Sequence, residues 1–378
     1  MVKKILEKKE KNQGKKRILV LNLVPNTVGD SIIMLPMFKI IKKNFPDSYL
    51  VATGDKITKE LWQNNKEIDE IIVVDELEYI GKRGLFKIIK GYYYFKMFFK
   101  LIREFRSRKF NICFIAYPNF FLMHLIPFFS GIKERIGFTY KGSIFSFLLT
   151  KKTPSKILFD GYYDRHIVES FLDLLRVYGL TFTSKDKIVK REVKKEDIIL
   201  VKEKLRKMKI HIENKIIISL HTLSKLEVKN WPAIYFKDLI KLLVIEYNPL
   251  IFLLGSSKEF SYNEEIRKVA ENNVYNLCGI FSLNEVGAIL KLSDLFIGND
   301  SGLGHYASAV GTKTISIFGA TNPKQAKPIG HGKTEIIFKN IEDNTYAHLK
   351  KNDALSAIEA MKKIKPEEVF EVVKNILK

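Results

Sequence analysis

The sequence predicts an α/β protein built from two parallel-sheet domains in series. Three observations carry this. Short apolar runs of strand length alternate with helical patterns. That alternation occurs twice along the 378 residues. A charged stretch with few aromatics, residues 183–209, divides the two runs. At about 150 residues per domain the length allows two to three domains.

The first strand is Arg17 to Val24, RILVLNLV, a continuous apolar run suited to a sheet covered on both faces. A loop, Pro25 to Gly29, leads into a helix from about Asp30 to Asn44, with Asp30 at the expected N-cap and Pro46-Asp47 as its stop. Strands are predicted at Tyr49 to Thr53, Ile71 to Val74 and Ile112 to Ala116. The second run predicts strands at Ile216 to Leu220, Leu250 to Leu254, Val274 to Leu277, Leu295 to Gly298 and Thr314 to Phe318. Helices at Trp231 to Glu246 and Ser282 to Leu292 fall between them. The expected domains are therefore a basic N-terminal arm at 1–16, a Rossmann-like domain at 17–182, a linker carrying a surface helix at 183–213, and a second Rossmann-like domain at 214–378. Ligands of such sheets bind at the carboxyl ends of the strands.

Composition narrows the function classes. Hydrophobic residues at 46% and charged residues at 28% exclude wholesale disorder and collagen-like chains. Two cysteines, Cys113 and Cys278, cannot build a disulfide framework or a cysteine-rich zinc site, and seven scattered histidines argue against a structural metal. The net charge of +22 calls for an acidic partner: nucleic acid, an anionic membrane face or a phosphorylated substrate. The first 178 residues hold 32 basic against 18 acidic side chains. Within Ile80 to Thr150 there are 13 basic and 2 acidic residues, with 19 of the 45 aromatics. That segment suits a membrane interface or single-stranded nucleic acid, and equally a core of aromatics under a solvated lysine face. The N-terminus is too charged for a signal peptide. The uncharged window Asn111 to Ile132 is long enough to cross a bilayer, but Pro118, Asn119 and Pro127 favour a strand, a loop and a short helix.

Three segments carry chemistry. In FIGNDSGLGHYASAVGTKTISIFG, residues 296–319, a strand ends and a polar turn opens a helix. The N–H groups of Ser301, Gly302 and Leu303, with the helix dipole, form an anion site, and Asp300 is placed as the N-cap. Gly302 and Gly304 allow close approach of a phosphate. In IIISLHTLSKLEVKNWP, residues 216–232, a strand runs into a loop holding His221, Thr222, Ser224, Lys225 and Lys229, groups that suit phosphate. In Val28-Gly29-Asp30-Ser31 the aspartate is either a cap or a general base. There is no GxGxxG after the first strand and no GxxxxGK[ST], so dinucleotide and P-loop readings fall away.

Seven pieces in order resemble glycosyltransferase family 9, the bacterial heptosyltransferases of lipopolysaccharide core assembly. They are GDSIIMLPMFKIIKKNFPDS, RIGFTYKGS, RHIVESFLDLLRVYGL, KNWP, LLGSSKE, NLCGIFSLNEVGAIL and GNDSGLGHYASAVGTKTISIFGATNPKQAKPIG. The resemblance implies a GT-B architecture, two Rossmann-like parallel-sheet domains facing a central cleft, and an inverting, metal-independent transfer with no cofactor. It implies heptose as the sugar, carried by ADP-heptose, and a lipopolysaccharide or lipooligosaccharide core as the anionic, lipid-linked acceptor. Asp30 matches the family's catalytic base. Ser301, Gly302 and Leu303 match the amides that hold the donor diphosphate, and Lys229 the lysine that neutralises it. Ser224 matches the loop hydroxyl, Glu259 the ribose-binding carboxylate and Phe281 the apolar cover of the adenine. Asp300 and His305 match the pair near the sugar and phosphates. Such an enzyme would be peripheral on the cytoplasmic face of the inner membrane, with no nucleic acid as partner.

Each residue has a plainer competitor. Phe281 and His305 suit a core, Glu259 a surface charge, and His166 a structural role. Two departures bear on the acceptor: Val24 stands where the family often has a basic residue, and IAYPNF, residues 115–120, where it often has an acidic-Leu-Gln sequence. The competing functions are a GT-B transferase with another nucleotide-sugar, such as a UDP-hexosamine, and a non-catalytic basic protein binding nucleic acid or anionic lipid.

Overall fold

A computed structural model of the chain describes residues 14–24, 28–80, 87–117, 122–139, 143–155, 165–319, 321–339 and 354–378. The N-terminal arm up to Gln13, the loop 25–27 and the strand-stopping pair Pro118-Asn119 lie outside the described residues. Two compact units divide the chain. One takes Met1–Thr27, Met34–Tyr162 and Ile167–Lys187; the other takes Val28–Ile33, Tyr163–His166 and Ile188–Lys378.

The first sheet has strands β1 (Arg17–Leu21), β2 (Tyr49–Gly54), β3 (Glu70–Val73), β4 (Ile112–Ile115), β5 (Glu134–Thr139) and β6 (Lys151–Pro154). Their spatial order is β3-β2-β1-β4-β5-β6, all parallel. β1 and β4 sit at the centre and are wholly buried beyond Arg17, which is why their sequences read as unbroken apolar runs. In chain order the helices begin with α1 (Val28–Ile33), α2 (Leu35–Asn44), α3 (Lys56–Trp62), α4 (Glu76–Ile80), α5 (Lys87–Arg108), α6 (Leu122–Phe129) and α7 (Val168–Tyr178). The single helix expected over 30–44 is thus two, with a break at Met34. Pro36 explains the break: it has no N–H for the carbonyl four residues back, and its ring crowds that carbonyl. The apolar window 111–132 resolves into β4 and α6. Among the described residues no helix is long and apolar enough to cross a membrane.

The second sheet has β7 (Ile217–His221), β8 (Leu250–Leu253), β9 (Val274–Asn276), β10 (Leu295–Asn299), β11 (Lys313–Phe318) and β12 (Thr334–Phe338). Its order is β12-β11-β10-β7-β8-β9, again parallel throughout. Its helices are α8 (Lys195–Lys207), α9 (Ala233–Tyr247), α10 (Phe260–Arg267), α11 (Leu283–Leu292), α12 (Gly302–Val310), α13 (Pro323–Ala326), α14 (Ala354–Lys363) and α15 (Pro366–Leu377). The core packs Trp231, Phe236, Leu239 and Leu243 of the α9 region and Val369 and Val373 of α15 against Ile218, Ile251, Ile297 and Ile315 of the sheet. The charged stretch after Lys187 is built into this unit. Val189 bridges Gly330, buried Arg191 donates to Asn284 at 2.5 Å, and α8 turns Val201 and Leu205 inward.

The strand order decides where the unit can bind. From β7 the chain winds outward through β8 and β9; from β10 it winds the other way through β11 and β12. The loops leaving β7 and β10 therefore part company at their carboxyl ends and open a crevice. His221 and Asn299 are the last residues of those two strands.

Candidate functional site

Asn299 is fully buried and ties the two loops together. Its Nδ2 donates to the Thr222 carbonyl at 2.8 Å, and its Oδ1 accepts from the Trp231 backbone N–H at 2.9 Å. Trp231 is itself locked, its indole N–H donating to the Ile364 carbonyl at 2.9 Å and its ring edge-on to Phe236 at 4.8 Å. The loop after β7 is therefore pinned at both ends beside the start of α12.

Asp300 follows. It is not the helix cap expected from the sequence, because Ser301 occupies the N-cap position. The Asp300 carboxylate is buried, and its Oδ2 accepts from Lys229 Nζ at 2.6 Å and from Thr321 Oγ1 at 2.7 Å. A buried carboxylate costs free energy unless charge and hydrogen bonds compensate, and here both do. Ser301 makes no side-chain capping bond, because its hydroxyl is engaged with His221 Nδ1 at 2.8 Å. The first-turn amides of α12 have no intrahelical acceptors by geometry, so that end of the helix is suited to an anion.

His221 extends the network. Its Nε2 lies 3.3 Å from Glu259 Oε2, and Ser256 Oγ donates to Glu259 Oε1 at 2.8 Å. Burial would raise the Glu259 carboxyl, but the bonds from His221 and Ser256 hold it below the usual range. A side chain at Gly255 would collide with Glu259 Oε2, so the glycine makes room for that carboxylate. His305, buried in the first turns of α12, is pushed down to about 4 by burial, opposed by Asp300 and reinforced by His166 and Lys229. It is therefore neutral at neutral pH. His166 Nε2 pairs with the Lys327 carbonyl at 2.8 Å, a structural bond.

Asp30 joins this cluster through backbone proximity. It lies within the first turn of α1, which begins at Val28, and so is not the N-cap expected for it. A Cβ on Gly302 would come within 2.9 Å of Val28 Cβ and 3.0 Å of the Gly29 amide nitrogen. A Cβ on Gly29 would touch His305 Cδ2 at 3.4 Å and Gly302 Cα at 3.5 Å. Two glycines thus let α1 and α12 meet almost backbone to backbone. Burial raises the Asp30 carboxyl above its ordinary value, and the charges of Lys229 and Lys225 partly offset this. A carboxylate poised upward and near lysine is equipped to accept a proton.

The structure thus brings Asp30, Lys229, Asp300, Ser301, Gly302, Leu303 and His305 together, with Glu259 joined through His221. Ser224 is spent on its own loop: its amide donates to Asn230 Oδ1 at 2.7 Å and its hydroxyl to the Leu226 carbonyl at 2.9 Å. Phe281 is nearly buried just ahead of α11, with Lys204 Nζ 5.5 Å from its ring centroid. Sequence reasoning missed the roles of Asn299, Thr321 and His221 as connectors. Thr321 stands in the motif quoted above, and His221 in the loop singled out for phosphate; their partners lie far along the chain.

Comparison with known proteins identifies the family and the fold. The pattern of Glycosyltransferase family 9 (heptosyltransferase) matches residues 98–358. Lipooligosaccharide heptosyltransferase 2 of Campylobacter jejuni is 31% identical over 152 residues, 40% of this chain and 47% of that one, so the match spans about half of that relative. Lipopolysaccharide heptosyltransferase 2 of Escherichia coli is 24% identical over 373 residues, 96% of this chain and 98% of the relative. The solved structure of E. coli ADP-heptose lps heptosyltransferase II superposes with a TM-score of 0.73 at 21% identity, covering 96% of this chain and 98% of that chain. The likeness shows the fold, two parallel-sheet α/β units of the GT-B class.

Proposed function

Since the chain belongs to glycosyltransferase family 9, we propose that it transfers heptose from ADP-heptose to the core of lipopolysaccharide or lipooligosaccharide. The observation that carries this is the placement of Asp30, with its raised proton affinity, beside Lys229 and the N-terminus of α12. The family relatives named above, one of them matched along almost its whole length, support the choice of sugar.

In this reading the donor diphosphate lies on the first-turn amides, Ser301, Gly302 and Leu303. Those dipoles are fixed before reaction and grow more favourable as the leaving group gains charge. Lys229, held by Asp300, adds a cation at the same place. Asp30 takes the proton from the acceptor hydroxyl as that oxygen attacks the anomeric carbon. The oxygen–carbon bond forms as the bond from carbon to the ADP oxygen breaks, so the configuration inverts in one displacement. Lys229 and the amides supply the positive charge a metal would otherwise bring. Glu259 accepts from the ribose hydroxyls, Phe281 covers the adenine, and Ser224 lines the loop. The acceptor is lipid-linked and anionic, which puts the enzyme at the cytoplasmic face of the inner membrane.

A donor panel tests the proposal. ADP-heptose should give product on native core acceptor, with turnover unchanged by a chelator, and UDP-hexosamines should give none. Product from a UDP-sugar and none from ADP-heptose overturns the donor assignment. Loss of turnover in chelator overturns metal independence.

A further inference from the structure

The basic, aromatic segment of the first unit divides cleanly into two faces. On α5, Met97, Leu101 and Phe105 are fully buried. The opposite face carries Ile88, Tyr92, Phe95 and Phe99, exposed by 87%, 61%, 65% and 54%. Their spacing of four, three and four residues lines them along one side of the helix. Phe95 and Phe99 lie 4.6 Å apart, Phe98 reaches Phe129 at 6.1 Å, and Phe128 and Phe129 of α6 extend the apolar surface with 42% and 46% exposure. Large apolar residues gathered on one surface mark an interaction site.

Charge identifies the partner. The 22 residues of α5 include seven Lys or Arg and a single acid, Glu104, which is taken up by Arg108 at 2.9 Å. Arg103 and Arg106 continue the exposed stripe, and Lys96 flanks it. Arg106 Nε donates to the Phe129 carbonyl at 2.9 Å, and the Arg135 guanidinium lies 5.4 Å from the Phe128 ring centroid. Cations thus rim the aromatics. A second copy docked on this face would set cation against cation, whereas lipid phosphates complement it.

We propose that this face docks on an anionic phospholipid bilayer, with α5 lying in the headgroup plane and Tyr92, Phe95 and Phe99 entering the acyl boundary. The inference deepens the proposed function, because a lipid-linked acceptor is reached from a membrane surface. The two are tested separately: donor binding and turnover report on the enzyme, and vesicle binding on this face.

The full chain is floated with vesicles of phosphatidylglycerol in phosphatidylcholine and with phosphatidylcholine alone. Binding should need the anionic lipid and weaken with salt. The Tyr92→Ser, Phe95→Ser, Phe99→Ser triple variant should lose about tenfold in bound fraction with an unchanged melting temperature. A Phe95→Trp variant should be quenched by brominated acyl chains, a readout independent of whether the triple variant folds. The proposal falls if wild type ignores anionic vesicles, if the folded triple variant binds as well as wild type, or if Trp at 95 is not quenched. It also falls if wild type is a dimer that the triple variant dissociates.

Discussion

Gly302 and Gly29 meet at backbone distance: a Cβ added to Gly302 would sit 3.0 Å from the Gly29 amide nitrogen. Sequence reasoning assigned Gly302 to phosphate clearance. The contact adds a second cause, since the same hydrogen-only position seats the helix that carries the proposed base. Gly302→Ala should therefore force α1 outward. The expected cost is about 1–3 kcal/mol, as for other overpacked contacts. Turnover should fall further than donor affinity, which steady-state kinetics set against binding of ADP would separate.

Asp30→Asn should reduce turnover by about 10²–10⁴-fold, the usual contribution of a general base, and leave ADP binding intact. Because the folded carboxyl is raised, the base is lost on acidification sooner than an ordinary aspartate near pH 3.9 would be, giving a displaced acid limb in the pH profile. The stability sign is opposite to that of a salt-bridged acid. A raised folded value means folding favours the protonated form, so the ionised group opposes folding at neutral pH. Asp30→Asn should thus raise the melting temperature while lowering turnover. A lower melting temperature would contradict the burial argument.

Lys229→Met leaves the Asp300 carboxylate with Thr321 but without its cation, a loss of about 1–3 kcal/mol for a buried charged group. Lys229→Met with Asp300→Asn should recover much of that stability and none of the donor affinity. Thermal denaturation of the two singles and the double, beside ADP titrations, completes the cycle.

Acid stability of the first unit has a separate origin. Asp186 accepts from Lys43 at 2.8 Å, from the Thr183 backbone N–H at 2.9 Å and its hydroxyl at 3.1 Å, and pairs with Lys39 at 3.2 Å. Those bonds, led by that from Lys43, hold its carboxyl well below the usual range. The stabilisation is present above the unfolded value near 3.9 and is lost as pH falls below it. Asp186→Asn should lower the melting temperature at pH 7 and flatten its decline in acid.

Much of the fold was legible because buried parallel strands read as unbroken apolar runs. RILVLNLV, LIFL and LFIG located β1, β8 and β10 to within a few residues. Three strands went unread: β6, KKTP, and β12, TEIIF, are sheet edges, mostly exposed or half-buried, and β5, ERIGFT, is interior but opens on two charged residues and is interrupted by Gly137, so no apolar run announces any of them. At the site, the turn proposed to hold the diphosphate and Lys229 were visible as local pattern. The pairing of Asp300 with Lys229 and Thr321, across 71 and 21 residues, was not. Nor was the link from Ser301 through His221 to Glu259, since each step joins separate strands.

Asn299 carries one last implication. It fastens the Thr222 carbonyl and the Trp231 amide at the two ends of the intervening segment. Lys229 is tied to Asp300 and Val228 packs against Ala357, which leaves Leu223 to Glu227 to be shaped by their own turns. Residues 223–227, between the Thr222 anchor and the ties at 228–231, tolerate exchange without loosening the scaffold. Substrate preference on this frame can therefore diverge by rewriting one short stretch, and loop grafting between the clamps is the natural route to redesigning it.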